Sequence, residues 1–489
     1  MKLKKLVANI VLFSLIFVQN AWADFDPAAQ MKSFMDSVSK QMAQMQKTIE
    51  QQGETINRQN DKIRQLENRP AQIQMAALSP GEAGQQMTDE QFKQKLGETL
   101  GGADKWLKDL KFSGDLRTRY DGQLFKDKNL SSGTAKTPDR NRFRFRLRYG
   151  FEKKISDQTS VGFSMGTGES LTTNGLNADQ TSQNQTFGNL FNYKNIWVDR
   201  AWATYKPTFT NIGPIQNTEI TGGKWKNVFQ DGSTDMIWDP DVTPEGVYEK
   251  VNLKLLETPN TLVKGSLTAG QMVLQEGSAH GKDAELYAYQ AVLNPIFQTP
   301  FSEHPIGIKG AVSYYYYDRY ANNSNDVVGA ASFARGNEDF APADGILDAL
   351  AFHVFDYYGE LSINPFGNIL VRPFTEFAIN TGDQSGLTNE YKAYQFGVKI
   401  GDMQKKGDWQ ASYAYKRIEN NAIVGAFSDS DFGNGYAGKV GSVVKLGYQL
   451  SDNVVLNGAL YVVDNLTEGT GGVKDQGQYR MQADILWKF

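Results

Sequence analysis

The chain has 489 residues, no cysteine and three histidines (His280, His304 and His353), which excludes disulfide scaffolds, thiol catalysis and cysteine-ligated metal sites. Charged residues make up 22% of the chain and the mean hydropathy is −0.49, which excludes a bundle of membrane-spanning helices. A formal net charge of −4 argues against a nucleic-acid partner, while 47 Gly, 22 Tyr and 28 Phe favour a large antiparallel β-structure.

Residues 1–23 have the features of a secretory signal peptide. Lys2, Lys4 and Lys5 precede an apolar stretch over residues 6–18, and Ala21 and Ala23 supply the small side chains that a signal peptidase reads. The apolar stretch is short for an anchor helix, so we expect cleavage after Ala23. The mature chain would then lie beyond the inner membrane, and a secreted soluble protein is still open at this point.

Residues 24–70 carry a heptad pattern, which predicts an α-helical coiled-coil stalk. The residues that would form the seam between helices follow one another at spacings of alternately four and three, and all but two glutamines are apolar. They are Met31, Met35, Val38, Met42, Met45, Ile49, Gln52, Ile56, Gln59, Ile63 and Leu66. The seam is narrower than the apolar stripe of a helix docked on a core, which favours a coiled coil of several chains, and we expect a homotrimer. Pro70 ends the helix, and residues 71–105 are predicted to be a linker with a short helix beginning near Thr88.

From residue 106 onward the hydrophobic period becomes two, as expected for β-strands. In residues 142–149 four arginines alternate with Phe143, Phe145, Leu147 and Tyr149. In a soluble sandwich the apolar face would point inward, whereas in a membrane barrel it faces lipid and the arginines line a water-filled lumen. A single strand leaves both readings open.

Sixteen such segments can be counted, and their connections decide between the two readings. The segments are 111–120, 141–155, 159–167, 195–206, 217–226, 246–256, 261–273, 284–293, 306–318, 352–363, 368–380, 391–401, 408–419, 438–450, 453–464 and 478–489. Connections after even-numbered segments are mostly tight, while those after odd-numbered segments are mostly long and polar. This asymmetry is typical of an outer-membrane barrel, so we predict a 16-stranded antiparallel transmembrane β-barrel over residues 106–489, with the stalk in the periplasm.

The last segment predicts a signal for assembly in the outer membrane. One face carries Tyr479, Met481, Ala483, Ile485, Trp487 and Phe489. An amphipathic last strand that ends in Phe resembles the signal by which outer-membrane barrels are recognised by their assembly machinery. We therefore assign this role to Tyr479, Trp487 and Phe489.

Residues 106–489 resemble the bacterial outer-membrane family known as "putative porin", which is similar in layout to the phosphate-selective porins. The resemblance depends on residues 111–120, 139–150, 236–246 and the last strand. It implies a trimeric barrel whose third external loop folds inward. No motif links this sequence to phosphate, so that specificity is not transferred.

The charges of the predicted third loop and of the first two strands suggest how a channel would be lined. The loop, residues 227–245, is acidic, with Asp231, Asp235, Asp239, Asp241 and Glu245. The wall is basic, with Arg117, Arg119, Arg142, Arg144, Arg146 and Arg148, and the lysines Lys224, Lys226, Lys250 and Lys254 extend it. Opposed rows of charge would create a transverse field across a constriction. The alternative for each arginine is an ion pair that only stabilises the wall.

The sequence thus predicts an outer-membrane porin for passive diffusion of ions and small hydrophilic solutes, with no catalytic, cofactor or metal site. The G-x-S-x-G pattern at residues 162–166 lies within a strand and is interpreted as a chance match to a hydrolase motif. Two alternatives are a barrel that tethers the envelope through its coiled coil and a channel for hydrophobic substrates. The expected partners are outer-membrane lipid, two further copies of the chain and the assembly machinery, and a contact between stalk and cell wall is left open.

Overall fold

The computed structural model describes residues 110–125, 139–169, 179–188, 190–276, 283–298, 304–320, 337, 351–382, 389–466 and 477–489. All of them belong to the second of two compact units, Ala103–Phe489. The signal peptide, stalk and linker predicted for residues 1–105 lie outside the described residues and stay predictions. Within the described part, no helix has the length and apolar character needed to cross a membrane.

Sixteen long strands form the wall, and each coincides with one of the sixteen predicted segments. They are β1 (Leu110–Phe125), β2 (Arg140–Lys154), β3 (Thr159–Thr167), β4 (Ile196–Tyr205), β5 (Ile215–Lys224), β6 (Glu245–Thr258), β7 (Thr261–Gln275) and β8 (Ala284–Phe297). The remaining eight are β9 (Ile306–Asp318), β10 (Phe352–Phe366), β11 (Ile369–Asn380), β12 (Lys392–Gly401), β13 (Trp409–Ile418), β14 (Lys439–Ser451), β15 (Val454–Asn465) and β16 (Gln478–Lys488). A two-residue strand, Gln185–Thr186, and 3-10 helices at Thr208–Thr210, Val228–Asp231 and Gly425–Phe427 complete the described elements.

The sheet closes on itself. Every long strand pairs antiparallel with its neighbours in the chain, and β16 pairs with β1, with Arg119 opposite Asp484 and Leu116 opposite Trp487. A closed barrel leaves no free strand edge, which is the condition for a sheet to cross a lipid bilayer. The predicted 16-stranded antiparallel barrel is therefore confirmed.

Alternate side chains along the strands separate an apolar outer surface from a polar lumen. On β2, 63% of Phe143 is exposed to the outside, while Arg144 on the opposite face is buried. On β16, Tyr479 and Met481 point outward, and Arg480 and Gln482 point inward. The apolar face thus points away from the barrel axis, contrary to the arrangement of a soluble sandwich.

A β-bulge on β4 makes both of its faces look mixed in the sequence. Ser164 of β3 pairs with Arg200 and Met165 pairs with Val198, so the register skips Asp199. Both Asp199 and Arg200 then reach the lumen side, because Ser164 Oγ donates to Asp199 Oδ2 at 2.9 Å and Arg200 Nε donates to Ser164 Oγ at 3.1 Å. An extra residue in one strand shifts the alternation of all residues beyond it.

Strand β7 alternates regularly where it forms part of the lumen wall. Its lumen side carries Ser266, Thr268, Gly270 and Met272, which are buried, whereas Leu267 and Val273 are exposed outside. Small side chains on this face leave room for a loop to lie against it.

The largest hydrophobic core lies inside the barrel and attaches the third external loop, residues 225–244, to the wall. The loop contributes Trp225, Phe229, Met236, Ile237, Trp238 and Val242, all buried. They pack with residues of β6 to β10, including Tyr248, Met272, Leu286, Ala288, Tyr315 and Phe352. Since burial of one large apolar side chain contributes about 1.5–3 kcal/mol, this core holds the loop firmly.

Candidate channel-lining site

Asp231 and Asp235 of the third loop pair with lysines of the wall. Asp231 accepts hydrogen bonds from Lys309 Nζ at 2.7 Å and Lys250 Nζ at 3.2 Å. Asp235 accepts from Lys416 Nζ at 2.6 Å and Lys445 Nζ at 2.9 Å. Burial alone would raise the pKa of Asp235, but the attraction of the two lysines outweighs it and holds the pKa well below its usual range.

Asp241 is the loop residue that meets the predicted arginine wall. Its Oδ1 accepts a hydrogen bond from Arg146 Nη1 at 3.2 Å and lies 3.6 Å from Arg148 Nη1. Burial would raise the pKa of Asp241, but Arg146, Arg117 and Arg148 lower it below the ordinary value. The acidic loop and the basic wall therefore touch at this point.

Asp239 is held by backbone groups. Its Oδ1 accepts from the backbone N–H of Asp241 at 2.8 Å, and its Oδ2 accepts from the backbone N–H of Ser430 at 2.8 Å. Burial, together with the negative charges of Asp241 and Asp429, raises the pKa of Asp239 well above its usual value. Asp239 thus differs from Asp235 and Asp241, which are stabilised as carboxylates by cations.

Glu245 belongs to the first position of β6, one residue beyond the loop, and its side chain is exposed. Its Oε1 accepts from Lys224 Nζ at 2.7 Å across the base of the loop. Lys254 likewise pairs at 2.6 Å with Glu257, near the opposite end of β6. Both ion pairs are local contacts at the ends of strands.

The six predicted arginines of β1 and β2 all face the lumen, and each lies within 4 Å of at least one carboxylate. Arg119 binds Asp484 with two hydrogen bonds of 2.7 and 2.8 Å, and Arg142 binds Asp121 at 2.6 Å. Arg146 and Arg148 bind the two oxygens of Asp115 at 2.9 and 2.8 Å. The longer ion pairs are Arg117–Asp484 at 3.9 Å, Arg144–Asp121 at 3.5 Å and Arg144–Glu169 at 3.8 Å.

These carboxylates come mainly from neighbouring strands. Asp115 lies directly opposite Arg148, and Asp121 directly opposite Arg142, in the register of β1 with β2. Arg480 of β16 also binds Asp121, through Nε at 2.8 Å and Nη2 at 3.0 Å. The basic wall is thus a network of alternating charges, which fixes the arginine side chains in one geometry.

The seventh external loop, residues 419–438, also reaches the lumen, which the sequence reasoning missed. Its Phe427 carbonyl accepts from the backbone N–H of Asp239 at 2.7 Å, and the Asp429 N–H donates to the Asp235 carbonyl at 3.0 Å. The Phe427 ring stacks on Trp238 with a centroid separation of 5.5 Å. The third loop therefore packs between the wall and a second loop.

Asp431 of the seventh loop connects this pair of loops to the arginine network. It lies 3.0 Å from Arg119 Nη1 and 2.9 Å from Arg480 Nη2. Burial would raise its pKa, but Arg480, Arg119 and Arg117 lower it far below the ordinary value. No period or motif of residues 419–438 signals these contacts, whose partners are distant in the chain.

Three cavities follow the third loop. The first, about 300 Å³, is lined by Arg117, Arg119 and Arg146 together with Asp235, Asp239, Asp241 and Asp484. The second, about 470 Å³, is lined by Asp231, Asp235, Glu360, Lys309, Arg372, Lys399, Lys416 and Lys445. The third, about 480 Å³, is lined by Arg200, Trp202, Lys226, Lys250 and Asp231 among others. Adjacent cavities share Asp235 and Asp231, so the cavities form a series along the loop.

Sequence reasoning identified part of this lining. It named Arg117, Arg119 and Arg146 at the first cavity and Lys226 and Lys250 at the third. It did not name the cations of the second cavity, which come singly from β9 to β14. The signal that could have found them is a lone cation at a lumen position of an alternating strand.

The aromatic residues of the last strand lie on the outer surface. Tyr479, Trp487 and Phe489 are exposed on the apolar face. Phe489 also closes the barrel, because its N–H donates to the Gly114 carbonyl at 3.0 Å and its carbonyl accepts from the Gly114 N–H at 2.8 Å. Their role in assembly remains a prediction.

Several solved structures are similar to the chain at low sequence identity. No curated protein matches the chain. The solved structures similar to it include OprB of Pseudomonas putida at high pH, with 13% identity, a TM-score of 0.46 and coverage of 80% of this chain and 97% of that chain. Another is OmpF of Salmonella typhi in complex with daunomycin, with 10% identity, a TM-score of 0.44 and coverage of 78% and 97%.

The family itself is established by sequence. A family model described as "Putative porin" matches residues 133–343 and 362–484, which is more than half of the chain. The matched residues include most strands of the closed barrel and both loops that enter its lumen. The chain therefore belongs to this porin family and is an outer-membrane channel protein.

Proposed function

We propose that the protein is a porin for passive diffusion of ions and small hydrophilic solutes, and that the third loop forms its constriction. The observation that carries this proposal is the series of charged cavities along residues 225–244, a loop attached to the lumen wall by its own hydrophobic core. Charged walls favour hydrated solutes over apolar ones. A channel for hydrophobic substrates would need an apolar lining instead.

In this proposal, opposite charges on the two sides of the first cavity orient water and solutes. Arg117, Arg119 and Arg146 lie on the wall side, and Asp235 and Asp241 on the loop side. The pair Arg146–Asp241 fixes the loop against the wall and so sets the width of the passage. Arg142, Arg144 and Arg148, with Asp115 and Asp121, hold the neighbouring arginines in position, and Glu245 contributes only at the base of the loop.

We further infer a homotrimer joined by the heptads of residues 24–70, with the stalk in the periplasm. The support is the unbroken heptad pattern on the N-terminal side of a barrel whose short turns lie at the same end as its termini. The exposed aromatic face of β16 supports recognition by the barrel-assembly machinery. A contact between the stalk and the cell wall would add tethering to the channel role.

Single-channel recording in a planar lipid bilayer tests the proposed function. Purified, folded protein should give stepwise openings with a conductance that rises with salt concentration. The Asp241→Asn variant should change the conductance and the reversal potential in a salt gradient. Folded protein without any conductance would contradict the diffusion channel.

A further inference from the structure

The third cavity, between the start of the third loop and strands β4 to β6, has a composition that the diffusion of small ions does not explain. Its cations are Arg200, Lys226 and Lys250, and its one carboxylate is Asp231. That carboxylate is already engaged by Lys250 and Lys309 at 3.2 and 2.7 Å. The lining therefore carries more cations than carboxylates, and of these cations Arg200 pairs at 3.1 Å with Asp199, which is not part of the lining.

Two residues that line the cavity, Trp225 and Asn227, also carry buried hydrogen-bond donors that lack protein acceptors. Trp225 and Asn227 are 1% and 4% exposed, and neither Trp225 Nε1 nor Asn227 Nδ2 has a hydrogen-bond partner among the described residues. The Oδ1 of Asn227 accepts from the Phe229 N–H at 3.0 Å, which fixes the orientation of the amide. Buried donors without acceptors are costly unless a ligand or water satisfies them.

Two of the lining cations, Arg200 and Lys226, also have nitrogen atoms that no protein acceptor among the described residues engages. Arg200 uses Nε for Ser164 Oγ and Asp199 Oδ2, both at 3.1 Å, which leaves its two terminal nitrogens for another acceptor. In the described part of the chain, no hydrogen bond or ion pair engages the exposed side chain of Lys226. A sugar needs acceptors as well as donors for its hydroxyl groups, and this cavity offers mainly donors.

An aromatic platform lies beside these donors. The Trp202 ring packs over Gly162, where a Cβ atom would lie 2.1 Å from Trp202 Cζ2, so only glycine fits beneath the ring. The Arg200 guanidinium lies 5.2 Å from the centroid of the Trp202 ring. A planar cation stacked on an aromatic ring is suited to a ligand that combines a flat apolar part with an anionic group.

We propose that this cavity is a binding subsite for a small organic anion, a carboxylate attached to an aromatic or similarly flat group. The carboxylate would be bound by Lys226 and the terminal nitrogens of Arg200, and the ring would lie beside Trp202. A volume of about 480 Å³ falls within the range of small-molecule sites, about 300–1,000 Å³. The proposal deepens the proposed function, since it names a solute class that the channel would concentrate beside its third loop.

Calorimetric titration of the folded, detergent-solubilised full chain with sodium benzoate tests the subsite. Acetate provides the carboxylate without the ring, and benzyl alcohol the ring without the charge. We expect saturable benzoate binding, weaker acetate binding and no binding of benzyl alcohol. Lys226→Gln should weaken benzoate binding by about tenfold, since it removes a charge-assisted hydrogen bond. Trp202→Leu should weaken benzoate binding and leave acetate binding unchanged.

The matched control is Arg372→Gln, which removes one positive charge from the second cavity. It should leave benzoate affinity unchanged within twofold. Equal losses of benzoate affinity in Lys226→Gln and Arg372→Gln would overturn the proposal. So would a folded chain that does not bind benzoate. Each variant is checked for the heat-modifiable folded band, and Lys226→Gln, an exposed position, does not disturb packing. Bilayer conductance without benzoate binding would refute only the subsite, and binding without conductance would refute only the diffusion channel.

Discussion

Gly223 and Gly246 lie directly opposite each other where the third loop leaves β5 and rejoins β6. Both have positive φ angles, 115° and 146°. A Cβ atom at Gly223 would lie 2.2 Å from the Ala201 carbonyl oxygen, and one at Gly246 would lie 2.1 Å from that of Gln271. The loop therefore turns into the lumen at a pair of residues that glycine alone can occupy without strain.

Gly223→Ala or Gly246→Ala is expected to destabilise the barrel by about 1–3 kcal/mol, because the backbone must move to accept the side chain. The loss of stability is measured as a decrease in the temperature at which the band of folded protein disappears from a gel. Gly222→Ala is the matched control, since a Cβ atom there meets nothing closer than Val247 Cγ2 at 3.8 Å. Equal unfolding temperatures for Gly222→Ala and Gly223→Ala would contradict the assignment of the strained pair.

Asp241→Asn should release the tip of the third loop from the wall. The variant loses the charge that attracts Arg146 and Arg148, with a cost of about 1.5–3 kcal/mol for a hydrogen bond between charged groups. We expect higher and noisier single-channel conductance and a reversal potential shifted toward anions. Glu245→Gln, whose side chain is exposed, should leave the conductance unchanged. An Asp241→Asn variant with unchanged conductance would show that the Asp241–Arg146 pair does not set the width of the passage.

The lumen loops should lose their attachment in acid. Asp235, Asp241 and Asp431 all have pKa values lowered in the folded protein from an ordinary value of 3.8. A carboxyl group with a lowered pKa contributes stability that is present above the unfolded value and lost as pH falls below it. We therefore expect stable conductance near pH 5 and progressive loss of loop attachment below about pH 3.8, seen as proteolysis of residues 419–438.

The matched variant for the acid effect is Asp431→Asn. It removes one of the groups whose protonation drives the change, so its proteolysis should depend less steeply on pH in the same range. A wild-type loop that stays protected well below pH 3 would rule out these carboxylates as the cause. Asp239 contributes to stability in the opposite direction as pH falls, because its pKa is raised in the folded protein and its protonation favours the folded state.

The last residue is expected to matter for both closure and assembly. Phe489→Ala removes the ring that lies over Gly114 and the aromatic terminus of the outer face. The amount of folded barrel in the outer membrane should fall, measured as the heat-modifiable fraction. Met481→Ala, on the same outer face but not part of the predicted assembly signal, is the control and should fold nearly normally. Comparable folding of Phe489→Ala and wild type would refute the assembly signal.

Deletion of residues 31–66 should weaken trimers and leave the barrel folded. The heptad seam is the only trimer contact that the sequence predicts, and Met-rich seams set oligomer number loosely. Heat-resistant trimers on a gel provide the measurement, with the barrel's own heat-modifiable band as the internal control. An unchanged amount of heat-resistant trimer would show that contacts of the barrel wall hold the trimer together instead.

Strand positions could be predicted from the sequence because an apolar outer face and a polar lumen face impose a period of two on the wall strands. The bulge at Asp199 could not, since one skipped residue only makes both faces look mixed. Ion pairing of the arginines was one of two open alternatives, but the partners could not be identified: Arg148 has no acid beside it in the chain, and its partner Asp115 is adjacent only in the register of β1 with β2. The seventh loop was missed for a related reason, as Ser430 meets Asp239 across 191 residues without any local pattern.

Conductance of the purified protein in a planar lipid bilayer tests whether the barrel is an open, water-filled channel. Stepwise openings are expected, in triplets if the chain is trimeric, with a conductance that rises with salt concentration as in a water-filled passage. Folded, heat-modifiable protein that inserts into the bilayer and carries no current would contradict it.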